Sequence, residues 1–335
     1  MLNHKFQILL VIVISLFACA CGTDTSKQGD PIKKGVVNAT VRLSPEFSGD
    51  SAYFSIKKQV EFGPRIPGSL AHKKCSDYIV NELKKYTSDL QYNAGKVTAY
   101  DGKVLDIQNI IGTFNREMKK RILVSAHYDT RPWADNDMYE VNRKLPVPGA
   151  NDGASGVAVL LEIARNLALK NPQVGVDLIF WDVEDYGQIS GDIENTFCYG
   201  SQHWARNKHV NGYTAEFGIN LDMVGATGAR FTREGFSRQY AEQYVNLVWG
   251  VAAELGYSNY FVNFNDPPIT DDHYYVSTLG GIPCIDIIDL PVGTPTFFPH
   301  WHTGNDDLPV ISSAPLKAVG QTVLEVIYRQ GSPPL

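Results

Sequence analysis

Two adjacent acids, Glu184 and Asp185, follow a largely apolar run at residues 176–180 of this 335-residue chain. The run is rich in β-branched and aromatic side chains and turn residues come after it, a pattern that predicts a buried strand. In open α/β sheets, ligands and catalytic groups collect beyond the carboxyl ends of the strands. Neighbouring residues at such an edge point in different directions, so one acid can face a metal and the other a substrate.

Four further segments place polar residues at predicted strand ends or in the loops beyond them. They are His127-Tyr128-Asp129-Thr130, the glycine-rich segment 148–156 around Asp152, Asn220-Leu221-Asp222, and His300-Trp301-His302-Thr303. Taken alone, His127 is explained as a hydrogen-bonded core histidine and Asp152 as a helix cap. Asp222 and His302 are likewise explained as a turn acid and a surface loop residue. One metal site accounts for all the segments more economically.

Zinc binds imidazole nitrogen and carboxylate oxygen, and a catalytic zinc uses three protein ligands and leaves one position open. Asp152, Asp185 and His302 make such a set and leave Glu184 free as a base beside the metal. His127 and Asp222 would complete a second site, with a carboxylate bridging two ions. The residues therefore predict a metalloenzyme and leave one and two metals open.

The elements that must position these residues alternate between strands and helices. Strands are predicted at 91–100, 106–114, 121–126, 176–181, 217–223, 260–264 and 282–288. Helices are predicted at 70–83 (with Ser69 as its N-cap), 154–170, 237–255 and 314–328. This alternation predicts an α/β fold: a single globular domain with a twisted, mostly parallel central sheet covered by helices on both faces.

The N-terminal segment is predicted to lie outside this domain. Lys5 and the apolar run at 8–18 have the pattern of a secretory signal, and the run is shorter than the roughly 20 residues of a membrane span. Leu16-Phe17-Ala18-Cys19 resembles a bacterial lipoprotein processing box, with Cys19 as the lipidated residue and Cys21 as the second candidate. We therefore expect a signal peptide at 1–21, a flexible polar tether at 22–49 and the catalytic domain at 50–335.

We therefore expect an exported bacterial protein that is either periplasmic or attached to the membrane through a lipid anchor only. The net charge is −6 and there is no basic stripe with interleaved aromatic residues, which argues against a nucleic-acid partner. The domain retains Cys75, Cys198 and Cys284, which show no zinc spacing. We expect them to be buried, inert thiols with at most one disulfide among them.

The motifs occur in the order found in zinc aminopeptidase-fold proteins, and within that group the chain most resembles the animal-type glutaminyl cyclases, which are also represented in bacteria. Four features carry the closer resemblance: Phe62-Gly63-Pro64-Arg65-Ile66-Pro67-Gly68-Ser69, Tyr199-Gly200-Ser201, Thr270-Asp271-Asp272-His273, and Trp301 directly before His302. The resemblance extends from about residue 51 to the C-terminus.

The resemblance implies that Asp152, Asp185 and His302 are the ligands of a single zinc. Glu184 corresponds to the glutamate that shuttles a proton during the reaction. The implied activity is conversion of N-terminal Gln of peptides or proteins to pyroglutamate, with release of ammonia. The chain departs from many relatives at Asp185, where they carry the longer Glu.

The resemblance also implies roles for residues around the zinc. Asp222 and Asp271 correspond to two acids that hydrogen-bond with the shuttling glutamate, and Trp301 would line the pocket for the glutamine side chain. His127 matches a metal ligand of the two-zinc aminopeptidases and is retained near the zinc in the cyclases. A second departure is Asp286, where the animal cyclases have a histidine, which brings the outer network closer to the peptidases.

Two alternatives follow from the same residues. A two-zinc aminopeptidase would use all five potential ligands, with Glu184 activating a water molecule. A catalytically inactive binding module on the same scaffold is the other alternative, although the chain keeps both the ligands and the base.

Overall fold

The computed structural model describes residues 42–190, 195–293 and 296–332. The predicted signal peptide at 1–21 and the tether as far as residue 41 lie outside the described residues. Residues 42–49, which we assigned to the tether, instead belong to the folded domain: Phe47 is 1 % exposed, and the Glu325 carboxylate accepts the backbone N–H of Leu43 and Ser44. The tether prediction is wrong for this segment because a buried ring and satisfied backbone donors fix it to the domain.

Among the described residues, six strands form the main sheet and two short strands pair separately. Their bounds are β1 Leu90–Thr98, β2 Val104–Phe114, β3 Arg121–His127, β4 Gly175–Trp181, β5 Phe217–Asp222, β6 Phe231–Arg233, β7 Phe261–Asn265 and β8 Cys284–Ile288. The main sheet has the order β1-β2-β4-β3-β5-β8, and β6 pairs with β7. Strand β2 is antiparallel to both neighbours, whereas β4, β3, β5 and β8 are mutually parallel. The predicted mostly parallel sheet is confirmed.

Seven α-helices are present in the described part of the chain. They are α1 Gly49–Val60, α2 Leu70–Leu83, α3 Ala154–Leu169, α4 Tyr199–Arg206, α5 Gly235–Glu254, α6 Asp272–Thr278 and α7 Ser313–Gly331. Ser69 caps α2 as predicted, since its side chain accepts the N–H of His72. Of these described helices, none combines the length and the apolar character that a membrane crossing requires.

Side-chain alternation along the strands explains why helices cover both faces of the sheet. Ile122 and Val124 of β3 belong to the large core that includes α1, α3, α5 and α7. Leu123, between them, belongs to the opposite core, with Trp204 of α4 and Val276 of α6. Period-2 alternation buries both faces of a parallel strand, so both need a helical cover.

The register of the parallel strands creates the edge that carries the candidate site. His127 of β3 pairs with Trp181 of β4, and Ser125 pairs with Asn220 of β5. The three strands therefore end at nearly the same level, and the polar residues that follow them meet at one edge. Helix α3 begins at this edge, directly after the Asp152 loop, and is buried along most of its length as its apolar sequence predicts.

Candidate active site

The carboxyl edge of the sheet brings the sequence motifs together. His127 is the last residue of β3, Asp222 is the last residue of β5, and Glu184 and Asp185 follow β4. All four lie where an open parallel sheet places its ligands. The sequence motifs that are far apart along the chain therefore form one cluster in space.

Asp152, Asp185 and His302, which we call the metal set, lie within reach of a single ion. One ligand atom from each lies within 4.8 Å of the other two; His302 Nε2 is 3.1 Å from Asp185 Oδ1 and 3.8 Å from Asp152 Oδ2. All three residues are buried, and Asp185 Oδ2 has no hydrogen-bond partner among the residues that the structure describes. A buried carboxylate oxygen without a donor, beside an imidazole and a second carboxylate, fits a zinc ion.

His127 and Asp222 lie directly beside the metal set. His127 Nε2 is 2.9 Å from Asp152 Oδ1 and 3.3 Å from Asp222 Oδ1, so Asp152 is shared between two groups of potential ligands. A Cβ atom at Gly153 would lie 2.4 Å from His127 Nε2, so a side chain there would displace the imidazole. The structure brings both potential sets together, and its geometry is compatible with one ion or two.

Asp306 fixes the loop that carries Asp152. Its carboxylate oxygens accept the backbone N–H of Asn151 at 2.8 Å and of Asp152 at 3.1 Å, and its backbone C=O accepts the N–H of Ala150 at 3.1 Å. The buried guanidinium of Arg65 donates to the backbone C=O groups of 148 and 149 in the same loop. The first ligand of the metal set is thus held by its backbone from two sides.

Asp129 fixes the loop that carries Glu184 and Asp185. Its two carboxylate oxygens accept the backbone N–H of Glu184 at 3.0 Å and of Asp185 at 3.1 Å. Arg131 donates to the backbone C=O of Asp185 at 3.0 Å and forms an ion pair with Asp135. Glu184 and Asp185 therefore share one rigid support.

Asp135 orients the third ligand, because its Oδ1 lies 3.3 Å from His302 Nδ1 and leaves Nε2 facing the metal set. The sequence analysis missed Asp129, Asp135 and Asp306 as supporting residues. Asp129 could have been found, because it belongs to the His127 motif. Asp135 lies in an acidic loop, and such loops are as typical of a solvated surface as of a functional site. Nothing local in the sequence distinguishes Asp306.

Glu184 stands beside the metal set without being part of it. Its side chain is 14 % exposed and lines the pocket described below. Its Oε1 accepts a hydrogen bond from the thiol of Cys198 at 3.2 Å, and that sulfur is 3.9 Å from Asp271 Oδ1. Burial raises the pKa of Glu184 well above its usual range; His127 opposes this shift, and the charges of Asp185 and Asp271 add to it.

The thiols of Cys75, Cys198 and Cys284 are buried, as predicted, and all three are free, so the one disulfide that the sequence left open is not formed. The position of Cys198 between Glu184 and Asp271 was not predicted, because the sequence separation of these residues hides their contact. Burial, followed by the charge of Glu184, raises the pKa of the Cys198 thiol well above its usual range. Its sulfur therefore keeps its hydrogen and acts as a donor.

The acids behind Glu184 form a buried network. Asn220 Nδ2 donates to Asp271 Oδ2 at 3.1 Å and lies 3.4 Å from Asp286 Oδ1. Asp286, the second departure from the animal pattern, is fully buried, and its Oδ2 lies 3.5 Å from His273 Nδ1. Asp222 contacts His127 rather than this network, and burial raises the pKa of Asp222 to about 7 against the hydrogen bond from His127.

Trp301 lines a pocket of about 600 Å³ that also exposes Glu184 and Asp185. Its ring stacks on the His302 imidazole with centroids 3.8 Å apart and lies 4.3 Å from the Phe297 ring. The remaining wall is mainly apolar or aromatic and includes Ile189, Phe197, Ile269, Tyr274 and Tyr275. A pocket with convergent acids at one end and apolar walls elsewhere is typical of a ligand site.

Five non-glycine residues at or next to the site have positive φ angles. These are Val183 at 53°, Asn195 at 59°, Cys198 at 58°, Met223 at 50° and His302 at 55°. A β-branched residue such as Val183 rarely adopts this conformation. Such conformations persist only where the surrounding structure enforces them, and they concentrate at functional sites.

Comparison with known proteins identifies a family and similar structures. The model of "Peptidase family M28" matches residues 109–327. The structure of Bacteroides thetaiotaomicron glutaminyl cyclase bound to N-acetylhistamine is 47% identical, with a TM-score of 0.83 over 85% of this chain and 99% of that chain. A Zn-dependent exopeptidase from Parabacteroides distasonis has the same identity, TM-score and coverage.

A similar protein from an animal is the glutaminyl-peptide cyclotransferase of Drosophila melanogaster. It is 27% identical over 278 residues, which are 75% of this chain and 73% of the relative. The zinc-dependent neighbour and the family match agree with the donor set found at the sheet edge. The fold, the order of the motifs and the match over residues 109–327 show that this chain belongs to peptidase family M28.

Proposed function

We propose that the protein is a zinc-dependent glutaminyl-peptide cyclotransferase that converts N-terminal Gln of peptides or proteins to pyroglutamate. The observation that carries the proposal is the place of Glu184: it lies beside the metal set and faces the pocket. The similarity to the bacterial and animal glutaminyl cyclases supports this activity over peptide hydrolysis.

Cyclisation is an internal acyl transfer. The α-amine nitrogen of Gln attacks its own γ-carbonyl carbon, the bond from that carbon to the amide nitrogen breaks, and ammonia leaves. Glu184 accepts the proton that the amine loses and delivers it to the departing nitrogen, so the carboxylate is restored in each turnover. A zinc ion bound by Asp152, Asp185 and His302 would supply Lewis-acid polarisation of the γ-carbonyl.

The protein must also hold the side chain of the N-terminal Gln folded back toward its own α-amine. Both reacting groups belong to one residue, so positioning supplies much of the rate. Trp301 forms one wall of the pocket beside His302 and would pack against the methylene groups of the glutamine side chain. Asp271 stands behind Glu184, with its Oδ1 3.9 Å from the sulfur of Cys198, whose thiol donates to the Glu184 carboxylate and helps to fix its orientation.

We propose one zinc as the working state, held by the metal set. The second set of His127, Asp152 and Asp222 is the observation that favours the alternative, a two-zinc aminopeptidase in which Glu184 would activate water. The two activities give different products from one substrate, so a single assay separates them.

The test incubates the purified chain with a peptide that begins Gln-Leu, with and without a zinc chelator, and analyses the products by mass spectrometry. We expect loss of ammonia from an otherwise intact peptide, and the chelator should abolish it. Release of free Gln would show the aminopeptidase. An unchanged peptide with a folded, zinc-loaded sample would show the inactive binding module, and the zinc content measured in parallel gives the number of ions.

We also propose that the protein is exported by a bacterium and held at a membrane by a lipid on Cys19, with its catalytic domain in the periplasm or at the cell surface. The apolar run at 8–18 and the residues directly before Cys19 support this. Cells grown with a clickable fatty acid should label the wild-type chain and the Cys21→Ala variant but not Cys19→Ala. Equal labelling of both variants would reject Cys19 as the lipidated residue.

A further inference from the structure

A row of aromatic rings leads from the pocket to the protein surface. It consists of Tyr275, Tyr274, Phe236 and Tyr240, which we call the aromatic row. Tyr275 and Tyr274 line the pocket, with ring centroids 5.2 Å apart. The Phe236 ring lies 4.6 Å from that of Tyr274 and 5.9 Å from that of Tyr240. Tyr275 is 2 % exposed and Tyr240 is 36 % exposed, so the row runs from the buried wall to solvent.

The buried carboxylate of Glu234 joins this row to the pocket wall. It accepts the backbone N–H of Phe236 at 2.7 Å and of Ile269 at 2.8 Å, and it lies 3.0 Å from His273 Nε2. Ile269 lines the pocket, and His273 directly precedes Tyr274 in α6. One side chain thus connects the first turn of α5, the pocket wall and α6, which keeps the row in place when no ligand is present.

The first turn of α5 is also separated from the rest of that helix. Ala241, directly after Tyr240, leaves helical geometry with φ −147° and ψ 31°. Beyond this break the helix packs into the core through residues such as Val245 and Val248. Phe236 and Tyr240 lie before the break, are only partly buried and are not among the residues of the core clusters.

The size of the pocket leaves room for more than the glutamine side chain. Its volume of about 600 Å³ falls within the range of roughly 300–1,000 Å³ that holds drug-sized ligands. With Gln beside Glu184, the second residue of a peptide would occupy the apolar part of the pocket. An extended chain advances about 3.3–3.6 Å per residue, which is less than the 6.2 Å between the Tyr274 and Tyr240 rings, so the third residue needs a large side chain to reach the outer rings.

We infer that the aromatic row is a subsite for the third residue of the peptide substrate and favours a large apolar or aromatic side chain there. This inference rests on the proposed cyclase activity. Aromatic pairs contribute about 0.5–1.5 kcal/mol beyond the burial of their surface, which corresponds to a two- to ten-fold gain in kcat/KM for a substrate that forms one.

The test compares two tetrapeptides, Gln-Leu-Phe-Gly and Gln-Leu-Gly-Gly, which differ only at the third residue. For the wild-type chain we expect kcat/KM to be two- to ten-fold higher for the Phe peptide, mainly through a lower KM. The Tyr240→Ala variant should bring this ratio close to one, whereas Tyr240→Phe, which keeps the ring, should preserve it. Tyr92→Ala, which removes an exposed tyrosine of β1, is the matched control and should leave the ratio unchanged.

The outcomes separate this inference from the proposed function. If neither peptide loses ammonia, the cyclase proposal itself fails. If both are cyclised with equal kcat/KM by the wild-type chain, or if Tyr240→Ala keeps the full preference for Phe, the subsite is rejected and the cyclase stands. Tyr240 is exposed, so its substitution should leave the melting temperature nearly unchanged, and that measurement excludes general destabilisation.

Discussion

The two halves of the candidate site are built differently. In the metal half, backbone or side-chain contacts from Asp306, Asp129 and Asp135 hold the three ligands. In the acid half, Glu184, Asp271 and Asp286 lie around neutral donors, the Cys198 thiol and the Asn220 amide. The metal half thus holds three side chains in fixed positions around a site that suits a cation. The acid half instead has an excess of negative charge, which bound protons neutralise.

The pKa values of acids in the acid half reflect this excess of negative charge. Burial raises the pKa of Asp286 well above its usual range, and Asp271 adds to the shift. Burial likewise raises the pKa of Asp272, again with a contribution from Asp271. Acids packed together in this way disfavour one another's ionised forms, so the cluster releases its protons at higher pH than isolated acids do. A carboxylate at its edge, such as Glu184, is well placed to take up and release one proton.

The largest effect that distinguishes the halves should come from Glu184→Gln. The amide keeps the shape of the side chain but cannot shuttle a proton, so we expect kcat for cyclisation to fall by about 10²–10⁴-fold. Zinc binding should be retained, because Glu184 is outside the metal set. Ammonia release and zinc content, measured on the same sample, check both statements.

The neighbouring substitution Asp185→Asn serves as the matched comparison. It changes one atom in the adjacent residue but removes an anionic ligand, so zinc content should fall together with activity. If Glu184→Gln also lost its zinc, or kept nearly normal cyclisation, the division of the site into a metal half and an acid half would be wrong.

A smaller effect should follow from Asp306→Asn, which leaves every ligand in place. The amide can accept only one of the N–H groups of Asn151 and Asp152, and its own NH₂ faces the other. Loss of such support typically lowers metal affinity by about 10–100-fold. Competition with a fluorescent zinc chelator measures the dissociation constant without any activity assay.

The adjacent Asp307→Asn is the control, since Asp307 caps the short helix that follows by accepting the N–H of Leu308. Its zinc affinity should match that of the wild-type chain. Equal losses in both variants would assign the effect to the loop as a whole, and an unchanged affinity in Asp306→Asn would reject Asp306 as a support of the ligand.

The sequence predicts the residues of the metal set far better than the residues that support them. Strand ends and short motifs identify Asp152, Asp185 and His302, because local hydrophobic patterns locate the edge of a parallel sheet. Asp306 and Asp135 support these ligands through contacts across distant segments, and no local pattern encodes such contacts.

The same limit applies to the fold. The long strands and the helices α2, α3, α5 and α7 match the periodicity of the sequence within a few residues. Helices α4 and α6 were not predicted: they have eight and seven residues, too few to show a clear helical period. Helix α1 was missed because only a few of its positions are buried and the others are mostly polar. It is stabilised by packing against α3 and α7, which lie far along the chain.

The smallest of the expected effects concerns Cys198, which lies between Glu184 and Asp271 within the acid half. Its backbone N–H donates to the Glu184 C=O at 2.8 Å and its thiol to the carboxylate of the same residue, so it holds Glu184 at two points. Cys198→Ala removes only the thiol contact. A typical hydrogen bond contributes about 0.5–1.5 kcal/mol, and we expect kcat to fall by about two- to ten-fold with KM nearly unchanged.

Cys198→Ser restores a donor of similar size and should recover most of kcat, a rescue that a purely structural role for the thiol would not produce. Zinc content should be normal in both variants, in contrast to Asp306→Asn. A loss of zinc from Cys198→Ala would mean that the thiol supports the metal half instead. Equal kcat in the Ala and Ser variants would mean that the hydrogen bond to Glu184 plays no part in the reaction, and the acid half would then orient its base through the backbone alone.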